Sequence, residues 1–231
     1  MKFYGFEKLS LVDFDGHTAT TVFTGGCNFY CPFCHNGGLV DLDKNSSVFT
    51  EEEILSYLNK RKGLLDGVAI TGGEPTLNKD LPDFIKKVKD VGGYDVKLDS
   101  NGTNPDMLAY LAEEKLVDYF AMDIKNSPAK YPVTIGKNES YDLSRIYESV
   151  NIIKSTPSHE FRTTIMAELF EEKDFYEISE WLTGAKKYVI QKYTDSENCL
   201  THGFTPVEEE TAKKYLSIVA PNVEVTALRG Y

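Results

Sequence analysis

Short apolar runs rich in β-branched residues alternate along the chain with longer stretches whose apolar positions recur at helical spacing. The short runs fall at 19–24, 67–71, 94–98, 117–122, 160–166, 187–191 and 222–226, and read as strands. Thr50 followed by Glu51, Glu52 and Glu53 has the form of a capping box, and Ile54, Tyr57 and Leu58 continue it as one apolar stripe. A second helix is predicted over 79–91, with Leu81, Phe84, Ile85 and Val88 on one face. Asn104-Pro105 opens a third, with proline in the first turn. Further helices are predicted over 141–154, 173–182 and 206–218.

Strands that alternate with helices imply a parallel sheet, because parallel strands need crossover connections. A closed barrel of eight such units takes roughly 250 residues. With 231 residues, the expectation is one α/β domain over 1–231, a partial, open (β/α)6 barrel. A doubly wound open sheet is the alternative. Several predicted strands end in polar residues or glycine-rich turns: Thr24-Gly25-Gly26-Cys27, Thr71-Gly72-Gly73-Glu74, Asp99-Ser100-Asn101-Gly102, Asp123-Ile124-Lys125 and Gln191. One such end is a solvated turn. Several at the C-terminal ends of parallel strands converge on one mouth, where such folds keep their functional groups.

Charge and composition narrow the function. The chain has 25 Lys+Arg against 36 Asp+Glu, a net charge of −11, which argues against a nucleic-acid partner. No run reaches the roughly 18 apolar residues of a membrane span, and the N-terminal residues carry no targeting pattern. Four cysteines are too few for a disulfide scaffold. The expected setting is a reducing cytoplasm, where clustered thiols bind metal.

Three of the four cysteines, Cys27, Cys31 and Cys34, are spaced Cys-x3-Cys-x2-Cys. A structural zinc or a structural iron–sulfur cube takes four protein ligands. Three thiolates on a cube leave one iron open to a small molecule. His35 or Cys199 as a fourth ligand would instead make a structural zinc site and a non-enzymatic binding module.

The spacing, with Phe33 as the aromatic residue before the third cysteine, resembles the signature of the radical S-adenosylmethionine (SAM) superfamily. The run Gly5-Phe6-Glu7-Lys8-Leu9-Ser10-Leu11-Val12-Asp13, the segment Gly26-Cys27-Asn28 and the segment Cys34-His35-Asn36 resemble a narrower set, the glycyl-radical-enzyme activating proteins. Within that set the likeness is to the activating proteins of anaerobic ribonucleoside-triphosphate reductase and of pyruvate formate-lyase. It runs from Gly5 to Leu228-Arg229-Gly230.

The resemblance implies a barrel of the radical SAM type and a [4Fe–4S] cluster on Cys27, Cys31 and Cys34. SAM would chelate the fourth iron. Gly72, Gly73 and Glu74 match the motif that meets the SAM amino group; glycine allows close backbone approach and Glu74 complements an ammonium. Phe33, Asn101, Lys125 and Gln191 are further expected SAM neighbours. Asp99 and Asp123, with carbonyls of Ser100 and Ala121, match a monovalent-cation site beside SAM; turn capping is the alternative reading of both aspartates. Arg162, on a strand face with Thr164 and Met166, is expected to meet the SAM carboxylate or, failing that, Glu74 or Asp123. Asp13 lies in a stretch that in the family sits near the entry of the partner's glycine loop; Asp15 stands here where proline commonly precedes Gly16.

The implied reaction is reductive cleavage of SAM to methionine and a 5′-deoxyadenosyl radical, which takes a Cα hydrogen from a glycine of a partner glycyl-radical enzyme, first of all an anaerobic ribonucleotide reductase. The chain has no ferredoxin-type cysteine run, so an external one-electron donor such as flavodoxin or ferredoxin is expected. The rival enzymatic reading is a small-molecule radical SAM enzyme similar to the 7-carboxy-7-deazaguanine synthases.

Overall fold

The computed structural model describes residues 1–42 and 48–231. The chain opens with β1 (Lys2–Ser10), which turns back into β2 (Ala19–Thr24). After the cysteine segment come a two-residue strand β3 (Phe49–Thr50) and helix α1 (Glu51–Lys60). Strand and helix then alternate through β4 (Gly67–Gly72), α2 (Leu81–Gly92), β5 (Asp95–Ser100), α3 (Pro105–Glu113) and β6 (Tyr119–Asp123). The remainder is α4 (Tyr131–Thr134), α5 (Ser144–Lys154), β7 (His159–Ile165), α6 (Glu172–Trp181), β8 (Ala185–Lys192), α7 (Glu209–Val219) and β9 (Val223–Arg229).

The strands form one sheet in the order β3-β1-β2-β4-β5-β6-β7-β8-β9. From β2 onward every neighbouring pair is parallel, and β1 is antiparallel to both of its neighbours. Through the parallel strands, from β2 to β9, the order rises steadily and never reverses, so among the described residues the parallel sheet has no switch point and the doubly wound alternative falls. The outermost strands do not pair with each other, and the sheet is an open, partial barrel of six βα units followed by a seventh parallel strand.

Register explains the strand composition. Val22, Ile70, Leu98 and Phe120 align across β2, β4, β5 and β6 and are buried under the helices. The α2 residues Leu81, Phe84, Ile85 and Val88 are fully buried, as their spacing predicts. The concave face carries charge instead: Lys97 and Asp99 on β5, Asp123 on β6, Glu160 and Arg162 on β7, and Lys187 on β8. Buried charge must be paired, and these residues pair with one another. Glu160, 1% exposed at its side chain, meets Lys187 and Arg229, each at 3.3 Å.

The segment between β1 and β2 closes the N-terminal end of this charged interior. Phe14 is buried, stacks on His17 and lies near Tyr119 at the start of β6. His17 Nε2 reaches Asp95 at 3.1 Å, and Asp15 meets Lys187 at 2.7 Å and Arg229 at 3.3 Å.

Strands β1 and β3 and helix α4 were not among the sequence-predicted elements. β1 breaks its alternation with two register shifts, so its periodicity is weak. The third-last and last helices begin three residues later than their patterns predict, at Ser144 and Glu209 rather than 141 and 206. Asp142 takes the Ser144 backbone N–H at 2.9 Å and holds the turn before α5, and Pro206 is drawn into a bridge with Met166.

Candidate active site

The cysteine segment follows β2 and lies across the C-terminal mouth of the sheet. The turn after β4 docks it there. Gly73 N–H donates to the Thr24 carbonyl at 2.8 Å, and Glu74 N–H donates to the Gly26 carbonyl at 2.8 Å. The two backbones run so close that a Cβ on Gly73 would lie 2.1 Å from the Gly26 oxygen, and one on Gly72, at φ +118°, would lie 2.3 Å from the Thr24 oxygen. Only glycine fits at either position. Asn36 Nδ2 donates to the Gly72 carbonyl at 3.2 Å and ties the far end of the segment to the same turn. Residues after β8 press on it from outside: Gly37 N–H donates to the Asn198 carbonyl at 3.0 Å and Thr201 N–H to the Pro32 carbonyl at 2.8 Å.

The resulting cavity has a volume of about 230 Å³. Cys27, Cys31, Cys34, Phe33, Gly72, Gly73, Glu74, Asp99, Asn101, Asp123, Lys125, Arg162 and Gln191 all line it. These are the sequence-predicted site residues with one exception. Asp13 lies in the closing segment at the other end of the strands, where it accepts from Thr21 Oγ1 at 2.6 Å. A position near the mouth is therefore not what the structure gives it: the hairpin between β1 and β2 turns at the N-terminal end of the parallel strands. Cys199 is buried outside the cavity, with Ser196 Oγ 3.5 Å from its sulfur, and His35 stacks on Tyr193.

The donor set suits an iron–sulfur cluster better than a single ion. Three thiols share the cavity, yet among the described residues no three His, Cys, Asp or Glu side chains converge as a single metal ion requires. Soft thiolates spread around a wider space match a cluster. Burial pushes all three thiols up, Cys31 to about 12. Free, they stay protonated at neutral pH; iron bound here would supply the positive charge that favours their thiolate form.

Glu74 is 1% exposed. Its carboxylate accepts from Thr76 N–H at 3.1 Å, Thr76 Oγ1 at 2.5 Å, Ser100 Oγ at 3.0 Å and Asn101 N–H at 2.6 Å. Among the described residues it forms no ion pair, and burial raises its pKa. It thus has a fixed orientation and complements a ligand ammonium at the cavity wall. Asn101 also donates to Asn28 Oδ1 at 2.9 Å and lies 3.8 Å from Cys27 Sγ.

The cavity floor is ionic. Arg162 Nε donates to Asp123 at 3.0 Å and Nη1 to Asp99 at 3.2 Å. Lys125 donates to Asp123 at 3.0 Å and lies 5.9 Å from the centre of the Phe33 ring. Lys97 donates to Asp99. Burial alone would raise both aspartates, but Arg162, with Lys97 at Asp99 and Lys125 at Asp123, holds both below the usual carboxylate range. Arg162 therefore meets Asp123, one of the two barrel carboxylates considered for it, and not Glu74. Lys97, Asn28 and Asn36 were missed by sequence reasoning. For Lys97 a signal was present, since two residues before Asp99 on a strand puts both on the same face.

Residues 21–181 match the family model described as the Radical SAM superfamily. A Methanocaldococcus jannaschii protein provisionally named as a glycyl-radical enzyme activating enzyme is 31% identical over 192 residues, 82% of this chain and 78% of its own length. A Sulfolobus acidocaldarius protein named as a probable GTP 3′,8-cyclase is 40% identical over 79 residues, 34% of this chain but 25% of that one. Among solved structures, Streptococcus suis SuiB bound to S-adenosylmethionine superposes with a TM-score of 0.66 at 13% identity, covering 88% of this chain. The chain spans about half the length of SuiB, 48%.

Proposed function

The chain belongs to the radical SAM superfamily, whose members use a [4Fe–4S] cluster and SAM, and from that premise we propose that it is an activating enzyme for a glycyl-radical enzyme. The observation that carries the site is the gathering of three thiols and a buried Glu74 carboxylate, outside any ion pair among the described residues, around one cavity. The likeness to the M. jannaschii protein, which spans most of both chains, supports the choice of partner.

In this reading Cys27, Cys31 and Cys34 hold the cluster, which when bound supplies the one electron that cleaves SAM. Glu74 and the Gly72-Gly73 backbone receive the SAM ammonium. Arg162 and Lys125 turn positive charge toward its carboxylate, and Phe33, Asn101 and Gln191 wall the remaining space. Burial of these groups keeps water from the bond being broken. The unpaired outer strands leave one side of the sheet open for a glycine loop. The partner is a glycyl-radical enzyme, with an anaerobic ribonucleotide reductase first, and a flavodoxin or ferredoxin supplies the electron. The acidic surface sets nucleic acid aside as a substrate. Among the described residues no helix is long and apolar enough to cross a membrane.

Isotope transfer tests this. A partner enzyme carrying Cα-deuterated glycine, mixed anaerobically with cluster-loaded protein, reductant and SAM, is expected to pass deuterium into 5′-deoxyadenosine. The partial likeness to a GTP cyclase favours a second reading, in which a small molecule is the substrate. SAM cleavage driven by GTP or another small metabolite, with no deuterium drawn from any glycyl-radical enzyme, would establish that reading instead.

A further inference from the structure

The pair Asp99 and Asp123 is where a monovalent metal cation is expected beside SAM, yet the residues around it do not fit one. Asp99 is met by Lys97 and by Arg162 Nη1 at 3.2 Å. Asp123 is met by Arg162 Nε and by Lys125, each at 3.0 Å. Two carboxylates thus face three fixed cations, and with Glu160, 3.9 Å from Arg162, the group is already in charge balance. An added metal ion would find both carboxylates already paired and would meet the repulsion of three cations beside them.

Lys97 is the residue that tips this balance. Its side chain is 5% exposed, and among the described residues Asp99 is its one hydrogen-bond partner. It shares a strand face with Asp99, two residues away on β5. Its strand neighbours in register are Ala69 on β4 and Tyr119 on β6. The small Ala69 leaves room for the lysine stem to rise through the interior, so that the ammonium arrives at Asp99 from below. The fold therefore delivers a positive charge to this point without taking an ion from solution.

We propose that Lys97 is a built-in counter-cation: its ammonium stands beside Asp99 where a monovalent metal ion would otherwise be held, so SAM binding by this chain needs no sodium or potassium. Lys97 acts through Asp99 and is a positioning residue. This inference rests on the reading that SAM occupies the cavity, and its test has a part that does not. Thallium-205 NMR on the cluster-loaded protein, with thallium(I) as the probe for a monovalent site, is expected to show no bound ion in the wild type and a bound ion in Lys97→Met. The SAM dissociation constant is expected to agree within about twofold between potassium chloride and tetramethylammonium chloride for the wild type. For Lys97→Met it is expected to weaken by about tenfold or more in tetramethylammonium and to recover in potassium. Lys97→Arg keeps the charge and stays independent of the salt.

Bound thallium on the wild type, or wild-type SAM affinity that rises about tenfold with potassium, overturns the proposal. An affinity loss in Lys97→Met that is equal in both salts also overturns it, because a purely structural lysine would behave in that way. Absence of SAM binding in either salt contradicts the proposed function, and the thallium measurement then still decides the role of Lys97. The wild-type measurements need no variant to fold.

Discussion

Arg162 works at the scale of a single side chain because its fork reaches two strands at once, Asp99 on β5 and Asp123 on β6. A lysine there could meet one carboxylate well but not both. The same scale holds two histidines whose surroundings act in opposite directions. His159 is 2% exposed; its Nε2 accepts the Lys186 N–H at 3.1 Å, which leaves the proton on Nδ1, 3.2 Å from the Thr156 carbonyl oxygen. Burial holds its pKa below the ordinary value. His17 is also partly desolvated, which works downward, but the Asp15 carbonyl and the Asp95 carboxylate outweigh that and raise it. The consequences for stability follow from linkage. As pH falls below about 6.5 the unfolded chain protonates while folded His159 resists, so stability is lost. The His17 contribution is complete below about 6.5 and disappears as pH rises through its raised folded value. NMR titration of the ring protons is expected to place His159 below and His17 above the ordinary histidine value. The reverse order would contradict the assigned hydrogen bonds.

At the scale of elements, the site depends on a turn after β4 docking onto the segment after β2. Gly73→Ala puts a methyl carbon where the Gly26 carbonyl oxygen lies, 2.1 Å from the ideal Cβ position. The cysteine segment must then shift, while the sheet and its outer helices keep their packing. Iron analysis after anaerobic reconstitution is expected to fall from about four irons per chain to less than half of that, with the far-ultraviolet circular dichroism unchanged. Full iron content in Gly73→Ala would show that the docking is not needed. Most of this element scale was legible in the sequence. The parallel strands announced themselves as apolar β-branched runs with polar ends, and α1 by Thr50, whose side chain accepts the Glu53 N–H at 3.2 Å while Glu53 reaches back to the Thr50 N–H at 2.7 Å. What was not legible depends on contacts far apart in the chain. β1 gains its shape from pairing with β2, and Asp13 is placed by a hairpin that turns at the N-terminal end.

At the scale of the molecule, the helices cover an apolar convex face and the concave face is filled with ion pairs. Charges run from Asp15 through Lys187, Arg229 and Glu160 to Arg162 and the cavity floor. The sheet is closed below by the segment between β1 and β2, carries the cavity at its mouth, and is open along its unpaired edges. The chain as a whole carries a net charge of −11, which favours a partner with a basic docking face. In the proposed function this cavity makes a radical and hands it to a protein glycine. Electron paramagnetic resonance tests it most directly, on an anaerobic mixture of cluster-loaded protein, reductant, SAM and each glycyl-radical enzyme encoded in the same genome. A glycyl-radical signal is expected on one of those enzymes, and it is expected to disappear when Cys27, Cys31 and Cys34 are all replaced by alanine. SAM cleavage with no glycyl radical on any of them would contradict it.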